Sequence, residues 1–174
     1  MTILTSLTER TDTEIDAILD ASFGTDRHGR TAYAIRSGCF WLPEFSYAVA
    51  SGQGELLGVL QSWPVALNRD DGIVTPLIMV GPVAVLPGHQ GDGLGRKLMD
   101  RLAADTDANA DAHLVMIGDP EYYGRFWNFT ADGTGKWRVP GPVEQRRLLM
   151  RRVPRLAPLP SVAGTLGPRL EKLK

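Results

Sequence analysis

Between Ile73 and Met99 the chain changes character twice in a short distance, and this succession constrains the fold more than any other feature of the sequence. Ile73 to Leu86 is apolar almost throughout, as a buried strand requires. Gly88, Gly91, Gly93 and Gly95 follow in close order. From Leu94 onward, Leu94, Leu98 and Leu102 recur at four-residue steps with Met99 beside them, while Arg96, Lys97, Asp100 and Arg101 fall elsewhere, the pattern of an amphipathic helix with one buried face. A loop that only turns a corner needs one or two glycines. So much bare backbone at the mouth of a helix implies that something bulky and anionic lies against it, because amides freed of side chains can point together at an anion where the helix dipole adds partial positive charge.

The rest of the chain supplies one domain for this unit to sit in. Its 174 residues, 43% of them hydrophobic, suffice for one ordinary core and not for two. Lys plus Arg (19) nearly balance Asp plus Glu (20), so composition gives no argument for a nucleic-acid or anionic-membrane partner, and neither is expected. Cys39 is the single cysteine, which excludes an intrachain disulfide. The opening MTILTSLTER lacks the basic start and apolar run of a secretory signal, and no stretch is apolar for long enough to span a bilayer; the expected setting is the cytoplasm.

Local patterns place the remaining elements. Ile3 to Leu7 reads as a first strand, and Thr11 with Glu14 as a capping box for a helix whose apolar face is Ile15, Ile18, Leu19 and Ser22 or Phe23, ended by Gly24. Tyr33 to Ser37 reads as a short helix closed by Gly38. Ser46 to Ala50 and Leu56 to Trp63 are strand-like around the glycines of Ser51 to Gly54, an antiparallel pair. Pro76 and Pro82 imply an edge, a bulge or a local opening of the ladder. His113 to Ile117 is a short buried strand, and Asp119-Pro120-Glu121 is a strong helix start. Val143 to Val153 reads as the last strand, with arginine pairs at 146–147 and 151–152 that break clean alternation. The domain is therefore expected over 1–153, followed by a Pro- and Gly-rich tail over 154–174, disordered or irregularly packed, with a basic end at Lys174. The order of elements predicts a mixed sheet in an α/β or α+β domain.

Three phosphate-binding patterns compete for the glycine loop. The Walker pattern fails because Gly91 leads to Arg96-Lys97-Leu98, without the hydroxyl that binds magnesium. The dinucleotide pattern fails because its sixth position, counted from Gly91, is Arg96. Gln/Arg-x-x-Gly-x-Gly/Ala at a helix start is met at every defined position by Gln90-Gly-Asp-Gly93-Leu-Gly95. Here the chain resembles the GNAT superfamily of acyl-CoA N-acyltransferases. GPVAVLPGHQG, GLGRKLMDRLA and GDPEYYGRF stand in the family's order, the resemblance covers roughly Ile73 to Phe129, and GPVEQRRLLM looks like the late strand of one bacterial branch.

The resemblance implies a GNAT-like fold, a central, mixed, mostly antiparallel twisted sheet flanked by helices. It also implies an N-acetyltransferase that moves an acetyl group from acetyl-CoA to a primary amine by direct attack in a ternary complex, with no metal. Gln90, Gly91, Asp92, Gly93, Leu94, Gly95, Arg96 and Lys97 would then hold the pyrophosphate. Val83, Ala84 and Val85 would offer backbone groups to the pantetheine arm, and an amide near Val85 would face the oxyanion. Asp92 is awkward beside an anion unless its side chain turns outward, while Arg96 and Lys97 offset it. Tyr123, in Tyr123-Gly-Arg-Phe126, matches the family's tyrosine near the sulfur, the proton donor to the leaving thiolate; Tyr122 lies about 100° around the helix. Phe126-Trp-Asn-Phe129 departs from the family's Gly-Phe and suggests an insertion. The base is open: Asp119, which is equally a helix cap, then His89, Glu44, His28 or a water chain. Phe23 to Phe45, with Tyr33, Phe40 and Trp41, and also Trp63 and Trp127, form the expected acceptor wall for a small-molecule or peptide amine. The alternative is an acyl-CoA-binding regulatory module without turnover, because Ile73 to Leu86 lacks the carboxylate many relatives place there. The arginines between Arg146 and Arg155 are a nucleic-acid contact, a solvated strand edge or the contact of a homodimer.

Overall fold

A computed structural model describes residues 1–172, and the basic end at Lys174 lies outside them. Its elements start and stop where local chemistry dictates. β1 (Thr2–Ser6) leads to α1 (Asp12–Phe23), which opens with the capping box: Thr11 Oγ1 accepts from the Glu14 amide at 3.2 Å and Glu14 Oε2 accepts from the Thr11 amide at 2.8 Å. Two of the helix's orphan donors are thereby satisfied, an arrangement whose loss costs about 1 kcal/mol. Gly24, at φ 87°, ends it. A short α2 (Thr31–Ile35) precedes the hairpin of β2 (Tyr47–Ser51) and β3 (Leu56–Arg69), and β4 (Val74–Val85) folds back on β3. The glycine loop then opens α3 (Leu94–Asn109), followed by β5 (His113–Ile117) and α4 (Pro120–Trp127).

The sheet runs β1-β2-β3-β4-β5 and continues to β7 (Leu148–Arg151). Every pairing along it is antiparallel except that of β4 with β5. α3 covers one face, where Leu94, Leu98, Met99 and Leu102 pack with Leu60, Ile78, Leu114 and Met116. α1 covers the other, setting Ile15, Ile18 and Leu19 against Ala48, Val59 and Ala84. This is the expected mixed, mostly antiparallel sheet flanked by helices.

Two expectations change toward the end of the chain. The strand read over Val143 to Val153 is only Leu148–Arg151, because Gln145–Arg147 forms a 3-10 turn. Arg151 breaks alternation without breaking the strand: it lies buried, its guanidinium donates to both oxygens of Asp107 at 2.7 and 3.0 Å, and Nε donates to Trp127 O. The segment past Val153 is not devoid of regular structure. β8 (Gly164–Pro168) pairs with β3 along Val65–Arg69 and with the two-residue β6 (Trp137–Arg138). β2 leaves that edge of β3 at Leu60, so five residues of a long strand would otherwise present unpaired backbone. Arg169 pins the end of β8 by donating to Val65 O and Leu77 O.

Candidate active site

The site forms where β4 and β5 stop pairing. Their ladder holds only over Leu77–Met79 opposite His113–Val115, although β4 continues to Val85 and β5 to Ile117. On the other edge of β4 the register with β3 shifts between Leu60 and Ser62, beside Gly81 and Pro82. Pro82, with no amide to donate, thus stands at an opening of the ladder, and Pro76 stands just ahead of the first β5 pair. The unpaired stretch leaves a cleft of about 760 Å³, within the range of small-molecule sites. Met79 to Val83 line one side and Met116 to Asp119 the other. Tyr122 and Tyr123 from α4 also face it, and the remaining walls come from Phe23 to Arg36 and from Pro142 to Arg147.

The glycine loop lies just beyond, at the end of β4. Gly93 caps α3 in the left-handed conformation (φ 76°) with no side-chain cap, and the first helical bond is from the Lys97 amide to Gly93 O. Among the described residues no protein group accepts from the amides of Gly93, Leu94, Gly95 and Arg96. A Cβ added at Gly91 or Gly93 would meet nothing within 4 Å, and one at Gly95 would only touch Val85 Cγ2 at 4.0 Å. Internal packing therefore does not require these positions to be bare; they leave open space in front of free donors, which suits a pyrophosphate. The charged side chains of the loop and the first helical turn have partners of their own. Asp92 Oδ2 is 3.2 Å from His89 Nδ1, Lys97 Nζ donates to Thr2 Oγ1 at 2.7 Å, and the Arg96 guanidinium lies 4.2 Å over the Phe126 ring. Gln90 Nε2 and Ser22 Oγ both donate to Val85 O, joining the loop and α1 to the end of β4. Val83 and Val85 face the α3 side, while Ala84 is buried on the α1 side.

α4 holds the two phenols at different depths. Asp119 Oδ1 accepts from the Glu121 amide at 3.0 Å and caps the helix, with Pro120 at its first position. Hydrogen bonding with Glu121 holds the Asp119 carboxyl below its ordinary range, helped by the more distant Arg147. Burial, reinforced by Tyr122 and Asp119, pushes Tyr123 up to about 12. Burial also raises Tyr122, which Arg96 partly offsets. Phe126-Trp-Asn-Phe129 ends the helix: Asn128, at φ 61°, closes it through Asn128 N to Gly124 O and Phe129 N to Tyr123 O. Phe129 is thereby folded back to within 6.2 Å of the Tyr123 ring.

The acceptor side differs from expectation. Phe23 and Tyr33 line the cleft, but Phe40, Trp41 and Trp127 do not. Trp41 packs against the α1 core, and Trp127 is buried at the end of α4 with Nε1 donating to Asp100. Trp63 and His28 line a smaller cavity adjoining the cleft, and Glu44 lines a different one. Sequence reading missed Arg36 and gave Arg147 no place in the cleft; both line it. The other late arginines are engaged elsewhere: Arg146 with Glu121, Arg151 with Asp107, Arg152 with the carbonyl of Leu156, and Arg155 with the carbonyls of Asp107 and Ala110. Among the described residues no helix is long and apolar enough to cross a membrane, and no cluster of His, Cys, Asp or Glu is fit to hold a metal.

Solved acetyltransferases share this fold. Escherichia coli YhbS, a GNAT family N-acetyltransferase solved in complex with CoA, superposes with a TM-score of 0.70 over 97% of this chain and 89% of that one, at 20% identity. A GNAT family acetyltransferase from Brucella melitensis, solved with acetyl-CoA, gives 0.56 over 87% and 96%, at 25% identity. The acetyltransferase (GNAT) domain model matches residues 6–127, and the chain belongs to the GNAT acetyltransferase family. In sequence, the E. coli K12 protein described as the uncharacterized N-acetyltransferase YhbS is 27% identical over 112 residues, and the aligned region spans 64% of each protein.

Proposed function

We propose that the protein is an acetyl-CoA-dependent N-acetyltransferase that acetylates a primary amine by direct attack in a ternary complex. The observation that carries this reading is the row of amides from Gly93 to Arg96, without protein acceptors among the described residues and with open space at Gly91 and Gly93, at the end of the strand that borders the cleft. The relatives solved with CoA and acetyl-CoA support it. Gln90 to Lys97 hold the pyrophosphate chiefly through backbone, since Arg96 and Lys97 have partners of their own. Val83 to Val85 guide the pantetheine arm along the edge of β4 that β5 has left.

In the transfer the amine nitrogen bonds to the acetyl carbon and the carbon–sulfur bond breaks. Tyr123 stays protonated far above neutral pH and supplies the proton that the departing thiolate takes. An Asp119 carboxyl held low by its hydrogen bonds is a weak base, which favours solvent as the sink for the amine's proton. Calorimetry with acetyl-CoA, followed by a thiol-release screen over amines, tests the reading. Saturable binding with CoA released in the presence of an amine is the expected result. Tight CoA binding with no turnover on any amine would make the protein a regulatory acyl-CoA-binding module instead.

A further inference from the structure

Among the described residues four arginines are buried; two of them, Arg27 and Arg151, pair with carboxylates, and Arg169 does not. Arg27 meets Asp16 and Asp20, Arg151 meets Asp107, and Arg169 donates to two backbone carbonyls. Arg36 also lacks a carboxylate partner among the described residues, and unlike Arg169 it lines the cleft. The residue is 5% exposed. It donates at 2.8 Å to Gly81 O, an oxygen that also accepts from Trp63 Nε1 at 2.6 Å, and the Tyr33 hydroxyl is a second polar partner. Its guanidinium carbon sits 4.0 Å from the ring centroids of both Tyr33 and Trp63, so the planar group is stacked between two aromatic faces. The two rings and Gly81 O fix the plane of the fork, while most of its five donors have no protein acceptor among the described residues. On the facing wall, half-buried Arg147 also lacks an ion pair among the described residues. The carboxylates beside it are not available to answer either cation in full: Asp119 caps α4, and Glu144 stands exposed near Arg146.

A buried cation without a counter-charge is costly, and a fixed guanidinium fork is shaped to receive a carboxylate through two parallel hydrogen bonds. We infer that the acceptor is an amino acid, a small amine that also carries a carboxylate, with Arg36 as the anchor for that carboxylate and Arg147 as a second cation at the cleft wall. The inference rests on the acetyltransferase reading and names its substrate class. Gly81, held by Arg36, lies on β4 two residues before the stretch assigned to the pantetheine arm. The anchor therefore stands on the strand that carries the reaction, and the apolar part of the cleft, with Met79, Val83 and Met116, receives the acceptor's body.

The test compares free amino acids with their carboxamides as acceptors in the thiol-release assay. The native protein is expected to favour the free acid at least tenfold in kcat/KM, although the amide's amine loses its proton more readily and intrinsic reactivity runs the other way. Arg36→Met should bring that ratio near one by raising KM for the acid rather than lowering kcat, and Arg36→Lys should restore part of it. Arg147→Gln, at a half-buried position, should shift the ratio in the same direction and keeps the test open should Arg36→Met fail to fold. Binding provides a readout that needs no turnover: the CoA-loaded protein is titrated with N-acetylglycine, N-acetylleucine and their amides, and only the acids should bind. Equal or better use of the amides by the native protein, or binding that ignores the carboxylate, would overturn the inference and leave the acetyltransferase reading standing. Absence of thiol release with every amine would overturn that reading, and the binding experiment would still decide the role of Arg36.

Discussion

A Cβ added to Gly118 would stand 2.8 Å from Cε2 of Tyr123 and 2.9 Å from its Cδ2, so the phenol ring fills the space that any other residue at 118 would occupy. Gly118 joins β5 to the cap of α4, and its bareness lets the ring fold back over the end of the strand at the cleft floor. Gly118→Ala should therefore act as overpacking, lowering stability by about 1–3 kcal/mol and kcat together by displacing the ring. Denaturant unfolding and steady-state kinetics on the same preparation measure both.

Tyr123→Phe should lower kcat by roughly 10² while CoA affinity is unchanged, the size expected for loss of a general acid. Tyr122→Phe should have a much smaller effect. Because burial raises Tyr123 to about 12, loss of its proton should not limit kcat at any pH up to about 11. The same shift has a signed effect on stability. An unfolded tyrosine gives up its proton near pH 10 while the folded one keeps it, so the contribution is whole below that point and is lost as pH rises toward about 12. Unfolding at pH 9 and pH 11.5 should show a smaller alkaline loss in Tyr123→Phe than in the native protein.

Gly91→Glu separates binding from folding in the glycine loop. Its Cβ meets nothing within 4 Å and its backbone needs no positive φ, so stability should change by no more than about 0.5 kcal/mol and Tm should move little. A carboxylate beside the pyrophosphate should still raise the Kd for CoA tenfold or more, which calorimetry reads directly.

Asn128 ends α4 at φ 61°, a conformation that costs other L-residues about 1–2 kcal/mol. Asn128→Ala should be destabilising by about that amount, and Asn128→Gly should be neutral or better. Thermal melts of the pair distinguish a backbone effect from a lost side-chain contact.

Leu166, 1% exposed on β8, packs with Leu67, Leu77 and Trp137. Leu166→Ala should cost about 2–5 kcal/mol, a core-sized loss from a segment whose composition reads as a tail. A chemical denaturation midpoint close to that of the native protein would show β8 to be dispensable to the core.

What the sequence by itself determined is the part of the protein whose physics is local. Thr11 and Glu14 satisfy each other's backbone across one helical turn, Asp119 and Pro120 start a helix from adjacent positions, and glycines between Gly88 and Gly95 clear a helix mouth, so a short window of residues holds the whole cause. The tertiary structure alone decided the rest. Arg36 and Arg147 are remote in sequence and share a cleft only because β4 and β5 part company, and no local pattern marks a guanidinium that will be stacked between Tyr33 and Trp63. The proline- and glycine-rich segment around Gly164 has little intrinsic reason to be a strand. It becomes one because β2 ends its pairing early, and the exposed edge of β3 supplies the hydrogen bonds that its own composition cannot.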